Sequence, residues 1–472
     1  MQCELLHGNR RKSYYAKGSI KMSGFDVRAA VENYFEDYKK DLAALVSANS
    51  KNGPAAPGAP MGVGPRQALD TMIAIAGRLG FKTTVDDEGY YGYAEVGEGK
   101  ELFGVLGHMD VVPADDVENW NTDPFVMEEK DGKFWGRGVT DDKGPTLASV
   151  YALKILLDSG AKLKQRVRFI FCTDEECLWH GVKRYVEKEE HPSFGITPDA
   201  DFPLLYAEKG LVEYDLFAKD DQVVDLKGGT AYNAVAGEAS IPMDKEVEKQ
   251  LKALGYKYEE KDGRLVTKGK AAHAMQPEEG VNAIVHLMEA MYKAGDESSM
   301  VKFISEVGND PFGTGIFGDV ADEVSGKLKF NVGLIEYKDG EQKMGIDIRF
   351  PVTYEKEKVD EVLSEVAGKY NVEVKQFDYL PSIYLATDTP FIKTLMQAYQ
   401  EVTGDTKTEP ISTGGATFAR SMENIVAYGA LMPGRPQTEH QANEMVEIED
   451  LKTAQEVYFR AFELLLTKEK IQ

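Results

Sequence analysis

Leu102-Phe-Gly-Val-Leu-Gly-His108-Met-Asp110 is the stretch on which the fold turns. Its first half, Leu102–Leu106, is a short and nearly continuous apolar run, and Val167-Arg-Phe-Ile-Phe-Cys172 is a second. Runs of this kind suit strands buried on both faces. Between them the pattern predicts a helix from about Thr146 to Asp158, with Pro145 at its start and Gly160 just past its end. Strands alternating with helices imply a mostly parallel sheet flanked by helices. In such sheets, functional residues gather on loops beyond the strands' carboxyl ends. Both runs lead straight into ionisable residues at that end.

Upstream, Val27, Val31, Tyr34, Phe35, Tyr38, Leu42 and Leu45 form one stripe and predict a helix over 26–46. Residues 47–65, rich in Gly, Pro and Ala, read as a loop. Ala68, Leu69, Met72, Ile75 and Ala76 mark a second helix. From about Tyr206 to Pro381 the texture changes. Val212-Glu-Tyr-Asp-Leu-Phe217 and Lys343-Met-Gly-Ile-Asp-Ile-Arg-Phe350 alternate in part, as strands with one exposed face do. A helix is expected over roughly 278–293. Residues 391–472 return to helices around a short strand, Ile425–Tyr428.

The expected architecture is α/β. A discontinuous domain spans 22–205 and 382–472 and carries the mostly parallel sheet. An α+β domain is inserted over 206–381. Residues 1–21 are basic, lack helical periodicity and lack the apolar core of a signal peptide; they are expected to be a disordered extension.

A chain of 472 residues is too long for one ordinary core, and 42% apolar content allows large ones. The net charge of -24 argues against nucleic acid and anionic membranes, which need a basic surface. No stretch approaches the ~20 apolar residues of a membrane span. Three cysteines, Cys3, Cys172 and Cys177, give no disulfide framework and suit a reducing compartment, so a cytoplasmic setting is expected.

The ionisable residues come in five segments. In an extended chain His108 and Asp110 point to one side, and a carboxylate there can orient a metal-bound imidazole. Gly136-Arg-Gly-Val-Thr-Asp141-Asp142-Lys-Gly-Pro145 sets two acids just before a helix. For an isolated Asp-Asp the ordinary reading is helix capping. Thr173-Asp174-Glu175-Glu176 places three acids after a buried strand, costly unless they are solvated or matched by cations. Asp199 and Asp201 follow in Ile196-Thr-Pro-Asp-Ala-Asp-Phe-Pro203, and His440 stands in Gly434-Arg-Pro-Gln-Thr-Glu-His-Gln-Ala-Asn443. Each is weak alone. Their joint occurrence after buried strands of one alternating domain is much stronger.

In this order the five segments resemble the dinuclear metallopeptidases that include aminoacylase, carnosinase and the bacterial dipeptidase PepV, and the likeness is greatest to the PepV type. The resemblance spans about Met22 to the C-terminus. The Gly/Pro loop before Gly64-Pro-Arg66 and the segment Gly414-Gly-Ala-Thr-Phe-Ala-Arg420 add to it. It implies two metals, zinc by default with manganese or cobalt as alternatives, held by His108, Asp141, Glu176, Asp199 and His440. Asp141 would bridge, with His108 and Asp199 completing one site and Glu176 and His440 the other. Glu175 would be the general base for a water shared by the metals, Asp110 would orient His108, and the Asp141–Asp142 peptide would be cis. From the inserted domain, His273 and Asn233 would face the oxyanion. Arg349 would bind the substrate's terminal carboxylate, with Gly415 and Thr417 adding hydrogen bonds. An ion pair with Asp347 is the competing role for Arg349.

The implied activity is hydrolysis of dipeptides and other short unblocked peptides by a monomer. Deacylation of N-acyl amino acids is the alternative, and a degenerate peptide-binding relative the least favoured. His7, His180, His191 and His286 match no motif and read as structural or surface residues, Cys172 as core.

Overall fold

The computed structural model describes residues 21–22, 25–114, 117–218, 225–338 and 341–470. All of the expected extension except residue 21 lies outside them. The chain divides into two compact units, one formed by Met1–Tyr206, Leu385–Ile411 and Thr417–Gln472, the other by Ala207–Tyr384 and Ser412–Ala416.

In the first unit the spatial strand order is Leu205–Glu208, Ile425–Ala427, Phe194–Thr197, Leu102–His108, Arg166–Cys172, Tyr91–Val96 and Lys82–Val85. The central strands, from 425–427 to 166–172, pair in parallel. Both flanks are antiparallel. The sheet is therefore mixed rather than mostly parallel. The apolar runs at 102–106 and 167–172 occupy the parallel centre and are buried along their length, as two-sided burial requires. The flanking Tyr91–Val96 is less apolar and partly exposed.

Helices Val27–Ser47, Lys143–Asp158 and Ile448–Leu466 pack together over a core that includes Phe103, Phe169, Tyr151 and Phe462. Asp26 caps the first of them through Ala29 N–H at 3.0 Å. Its C-terminal carbonyls are met by a buried amine, because Lys143 Nζ donates to Leu45 O at 2.9 Å and to Ala48 O at 3.1 Å.

Some boundaries differ from expectation. Helix Val63–Arg78 claims the end of the expected 47–65 loop. The helix placed at 146 begins at Lys143, since Gly144 and Pro145 fit a first turn whose N–H groups need no helical partner. The helix placed at 278 begins only at Ala283. Pro277–Glu279 is a separate 3₁₀ turn, and Asn282 caps the helix through Ile284 N–H at 3.0 Å.

The second unit holds an antiparallel sheet. Its strand order is Tyr258–Lys261, Arg264–Lys268, Glu238–Pro242, Lys227–Gly229, Lys329–Lys338, Glu341–Phe350, Gly210–Ala218 and Glu373–Leu380. Buried positions alternate along Gly210–Ala218, which places one face on the core. Helices Lys245–Leu254, Ala283–Lys293, Ser299–Glu306 and Lys356–Gly368 supply the rest of that core. No helix among the described residues is long and apolar enough to cross a membrane.

Candidate metal centre

Parallel strands point their carboxyl ends the same way. His108 ends its strand in register with Cys172, so 109–110 and 173–176 leave the sheet together. Asp199 follows the neighbouring strand Phe194–Thr197. Asp141 arrives from the start of helix Lys143–Asp158. Gly107 permits that approach, since a Cβ there would lie 1.9 Å from Thr146 Oγ1.

These side chains meet. His108 Nε2 lies 2.9 Å from Asp141 Oδ1, and His440 Nε2 lies 3.0 Å from Asp141 Oδ2. Each oxygen of Asp141 thus addresses a different imidazole. His108 Nε2 is 3.7 Å from Asp199 Oδ2, and His440 Nε2 is 3.2 Å from Glu176 Oε2. Donor atoms of His108, Glu175 and Asp199 fall within 4.8 Å of one another, as do those of His108, Asp141 and Glu176. The five expected ligands and Glu175 are brought together around Asp141. The Asp141–Asp142 peptide is cis.

Asp110 does more than face His108. His108 Nδ1 lies 3.1 Å from the carbonyl oxygen of Asp110 and 3.5 Å from its carboxylate. Donation from Nδ1–H to that carbonyl leaves the Nε2 lone pair for the centre. The carboxylate of Asp110 accepts from the backbone N–H of Glu175 and of Glu176, each at 3.1 Å, and from Asn52 Nδ2 at 3.2 Å. One fully buried carboxylate therefore ties the histidine strand to the glutamate loop.

Asp142 stands at the helix N-cap position but makes no capping bond through its side chain. Its Oδ2 instead accepts from Thr146 Oγ1 at 2.6 Å and from His108 N–H at 3.3 Å. The ordinary capping reading fails because the strand end competes for that oxygen.

Glu444 is the residue that sequence reasoning missed. It is fully buried and pairs with Arg137 Nη1 at 2.8 Å. It also accepts from the backbone N–H of Gly138 at 3.0 Å, Thr140 at 2.8 Å and Asp141 at 3.3 Å. The loop that presents Asp141 is wrapped on this one carboxylate. The available signal was Arg137 between two glycines, a charge and a loop backbone that both need an acceptor if buried.

Burial raises the Asp141 carboxyl, but hydrogen bonds from His108 and His440 outweigh it and hold the group below the usual range. The other carboxyls move the opposite way. Burial, then the charge of Asp141, pushes Glu176 up to about 7. Burial, then Asp199, pushes Glu175 well up, and burial, then Asp141, does the same to Asp199. His440 is lifted to about 11 by its bonds to Asp141 and Glu176. Carboxylates outnumber imidazoles, so the cluster carries surplus negative charge in a desolvated place. Divalent cations fit that surplus, and a mixed oxygen and imidazole donor set suits zinc, manganese or cobalt. Cys177 is exposed, and Asn52 Nδ2 donates to its sulfur at 3.0 Å; it is not among the grouped donors.

Within the second unit, Asn233 and His273 lie on paired segments. Ala234 bridges to His273, and Ala274 N–H donates to Asn233 O at 2.9 Å. Gly414 packs on Met275, and its carbonyl accepts from Arg349 Nη1 at 2.6 Å. Arg349 also grips Asp347 through Nε at 3.0 Å and Nη2 at 2.9 Å. The competing ion pair is thus present, and three of five guanidinium donors are engaged. Gly415 N–H donates to Thr413 Oγ1 at 3.0 Å. Thr417 belongs to the first unit, where its hydroxyl accepts from Ala419 N–H at 3.2 Å and caps a short 3₁₀ turn.

The pattern of "Peptidase family M20/M25/M40" matches residues 104–464. The "Putative dipeptidase YtjP" of Bacillus subtilis (strain 168) is 36% identical over 453 residues, covering 90% of this chain and 96% of that protein. Among solved structures, human carnosine dipeptidase 1 superposes with a TM-score of 0.58 at 18% identity, covering 93% of this chain and 98% of that one. The dipeptidase Dug1p of Saccharomyces cerevisiae gives 0.58 at 15% identity, covering 93% and 98%. The fold of this chain is shared with both.

Proposed function

The chain belongs to the peptidase family M20/M25/M40, and from that premise we propose that it is a two-metal hydrolase of dipeptides and other short unblocked peptides, of the PepV type. The observation that carries the reading is Asp141, whose two carboxylate oxygens each face a separate imidazole amid surplus carboxylates. His108, Asp141 and Asp199 would hold one cation, and Asp141, Glu176 and His440 the other. When bound, the cations polarise the scissile carbonyl and acidify water.

Everything else falls to side chains. Glu175 takes a proton from the attacking water and returns it to the leaving amine nitrogen. Its carboxylate lies with His108 and Asp199 within 4.8 Å, so the proton it takes is handled at the centre itself. Asp110 and Glu444 hold the two loops that carry Glu175 and Asp141. Asn233 and His273 are assigned to the developing oxyanion. Arg349 is assigned to the substrate's terminal carboxylate through the N–H donors that Asp347 and Gly414 do not use, with Gly415 and Thr417 assisting. Zinc is the proposed metal, and the cytoplasm the proposed setting.

The test is metal analysis followed by dipeptide hydrolysis before and after chelation, with zinc or manganese added back. Two metals per chain and activity restored by one of them are expected. Comparing a dipeptide with its N-acetylated form decides the substrate: faster turnover of the blocked form would make the enzyme a deacylase instead.

A further inference from the structure

Glu175 is a long side chain whose carboxylate must meet a small target, so the direction in which its backbone launches it matters. Its peptide N–H is held by Asp110 Oδ1 at 3.1 Å. Its carbonyl oxygen is held four residues later, by the indole Nε1–H of Trp179 at 2.7 Å. Trp179 reaches back because its backbone is left-handed, with φ at 58°. That region is an outlier for a bulky side chain, and an unconstrained turn would fill it with Gly or Asn.

The turn itself is wrapped on Asp174. The carbonyl of Asp174 accepts from Trp179 N–H at 3.0 Å, and its buried carboxylate accepts from Gly181 N–H at 2.9 Å. The half-buried indole then stands edge-on to Phe418, with centroids 5.2 Å apart at 71°. Phe418 stands edge-on to the His108 ring in turn, at 6.3 Å and 89°. The indole is therefore fixed on one side by the loop it donates to and on the other by a buried ring that also packs on a metal-centre histidine.

We propose that Trp179 is a positioning residue for Glu175, its indole N–H holding the carbonyl of the Glu175 peptide so that the carboxylate is launched toward the attacking water. The inference rests on Glu175 being the base. Its cost is a tryptophan in a left-handed turn at the N-cap of helix His180–Lys188. Its gain is registration of a proton acceptor, where displacements of about 1 Å are worth up to about 10²-fold in rate.

The test is a double-mutant cycle in the metal-loaded full chain, read as kcat and KM on one dipeptide. Trp179→Phe keeps an aromatic ring and removes the donor. It should lower kcat about tenfold, leave KM within about twofold and leave two metals per chain. In a Glu175→Ala background the same change should do nothing further, because residues acting through one group are not additive. Leu178→Ala, at an exposed neighbour, should leave kcat unchanged.

An unchanged kcat in Trp179→Phe overturns the proposal. So does an equal loss with and without Glu175, which leaves Glu175 as the base but makes the indole independent of it. So does loss of either metal, which would make the indole a support of the ligand loops. Near-normal activity in Glu175→Ala overturns the base assignment itself. If Trp179→Phe does not fold, replacement of Trp179 by 3-benzothienylalanine, an isostere without the N–H, gives the same reading; unfolding of that protein too would assign the bond to stability and overturn the proposal.

Discussion

Asp347 in the second unit and Asp141 in the first are both carboxylates flanked by nitrogen groups, yet they solve opposite problems. Asp347 is met in full by the fork of Arg349, and both are almost completely buried. The two charges cancel each other, and Arg349 Nη1 donates on to Gly414 O at 2.6 Å. Asp141 splits its oxygens between two imidazoles while Glu175, Glu176 and Asp199 crowd around them. That cluster is open, because its carboxylates outnumber the imidazoles that face them among the described residues. A closed buried pair holds a conformation; an open one holds a cation. The second unit has a small surplus of its own. Glu213 lies in register between Asp347 and Asp378 on neighbouring strands, and burial, then those two charges, pushes it up to about 8. A proton there does what metals would do in the first unit.

The sharpest way to break this contrast is Asp141→Ala. It should abolish dipeptide hydrolysis and release both metals, read by metal analysis after dialysis. Retention of two metals would mean that the cluster does not depend on its bridge. Next comes the closed pair. Asp347→Asn strands a buried guanidinium and should cost about 3–5 kcal/mol in urea unfolding. Replacing both partners, Arg349→Met with Asp347→Leu, should come within about 1 kcal/mol of the parent, as expected of a pair that neutralises only itself.

Glu444→Gln should weaken metal affinity by about 10–100-fold, because the loop presenting Asp141 loses its charged acceptor. Chelator competition would measure it, and an unchanged affinity would confine Glu444 to folding. Smallest is Glu213→Gln. Glu213 holds its proton in the folded chain up to about pH 8 but only to about 4.5 when unfolded, so the parent loses stability as pH rises between those values. The variant should therefore be more stable than the parent above pH 8, and the advantage should vanish below about pH 4. The full shift would be worth about 5 kcal/mol; with the side chain half-exposed, solvent screening brings the expected gain to about 1–2 kcal/mol.

Much of this was legible in the chain. Leu102–Leu106 and Val167–Cys172 announced buried strands because burial on both faces writes itself as an unbroken apolar run. Their parallel pairing carries His108 and Glu176 to one edge of the sheet; the strand before Asp199, Phe194–Thr197, was not read from the sequence. The antiparallel flanks were not legible, because pairing direction is set by connections and not by the residues of a strand. The expected ligands came from the resemblance carried by five ordered segments, each weak alone, and the structure brings those side chains together. Glu444 was not among them, although it stands in the same segment as His440. Its partners lie some three hundred residues away, and only the closed loop shows that one carboxylate satisfies four groups. Trp179 was hidden for another reason: its conformation, not its identity, aims it.

The partners of Asp141 also come from far apart in the order of synthesis. His108 precedes it by 33 residues, but His440 follows it by 299. Glu444, the acceptor for the loop, arrives with His440. A chain emerges from its N-terminus, but its domains fold as units. His108, Asp141, Glu175, Glu176 and Asp199 are all made long before the second imidazole and the loop's anchor. The bridge of the centre, the anchor of its loop and the core beneath it, which includes Val426, Leu451 and Phe462, therefore all wait for the last part of the chain.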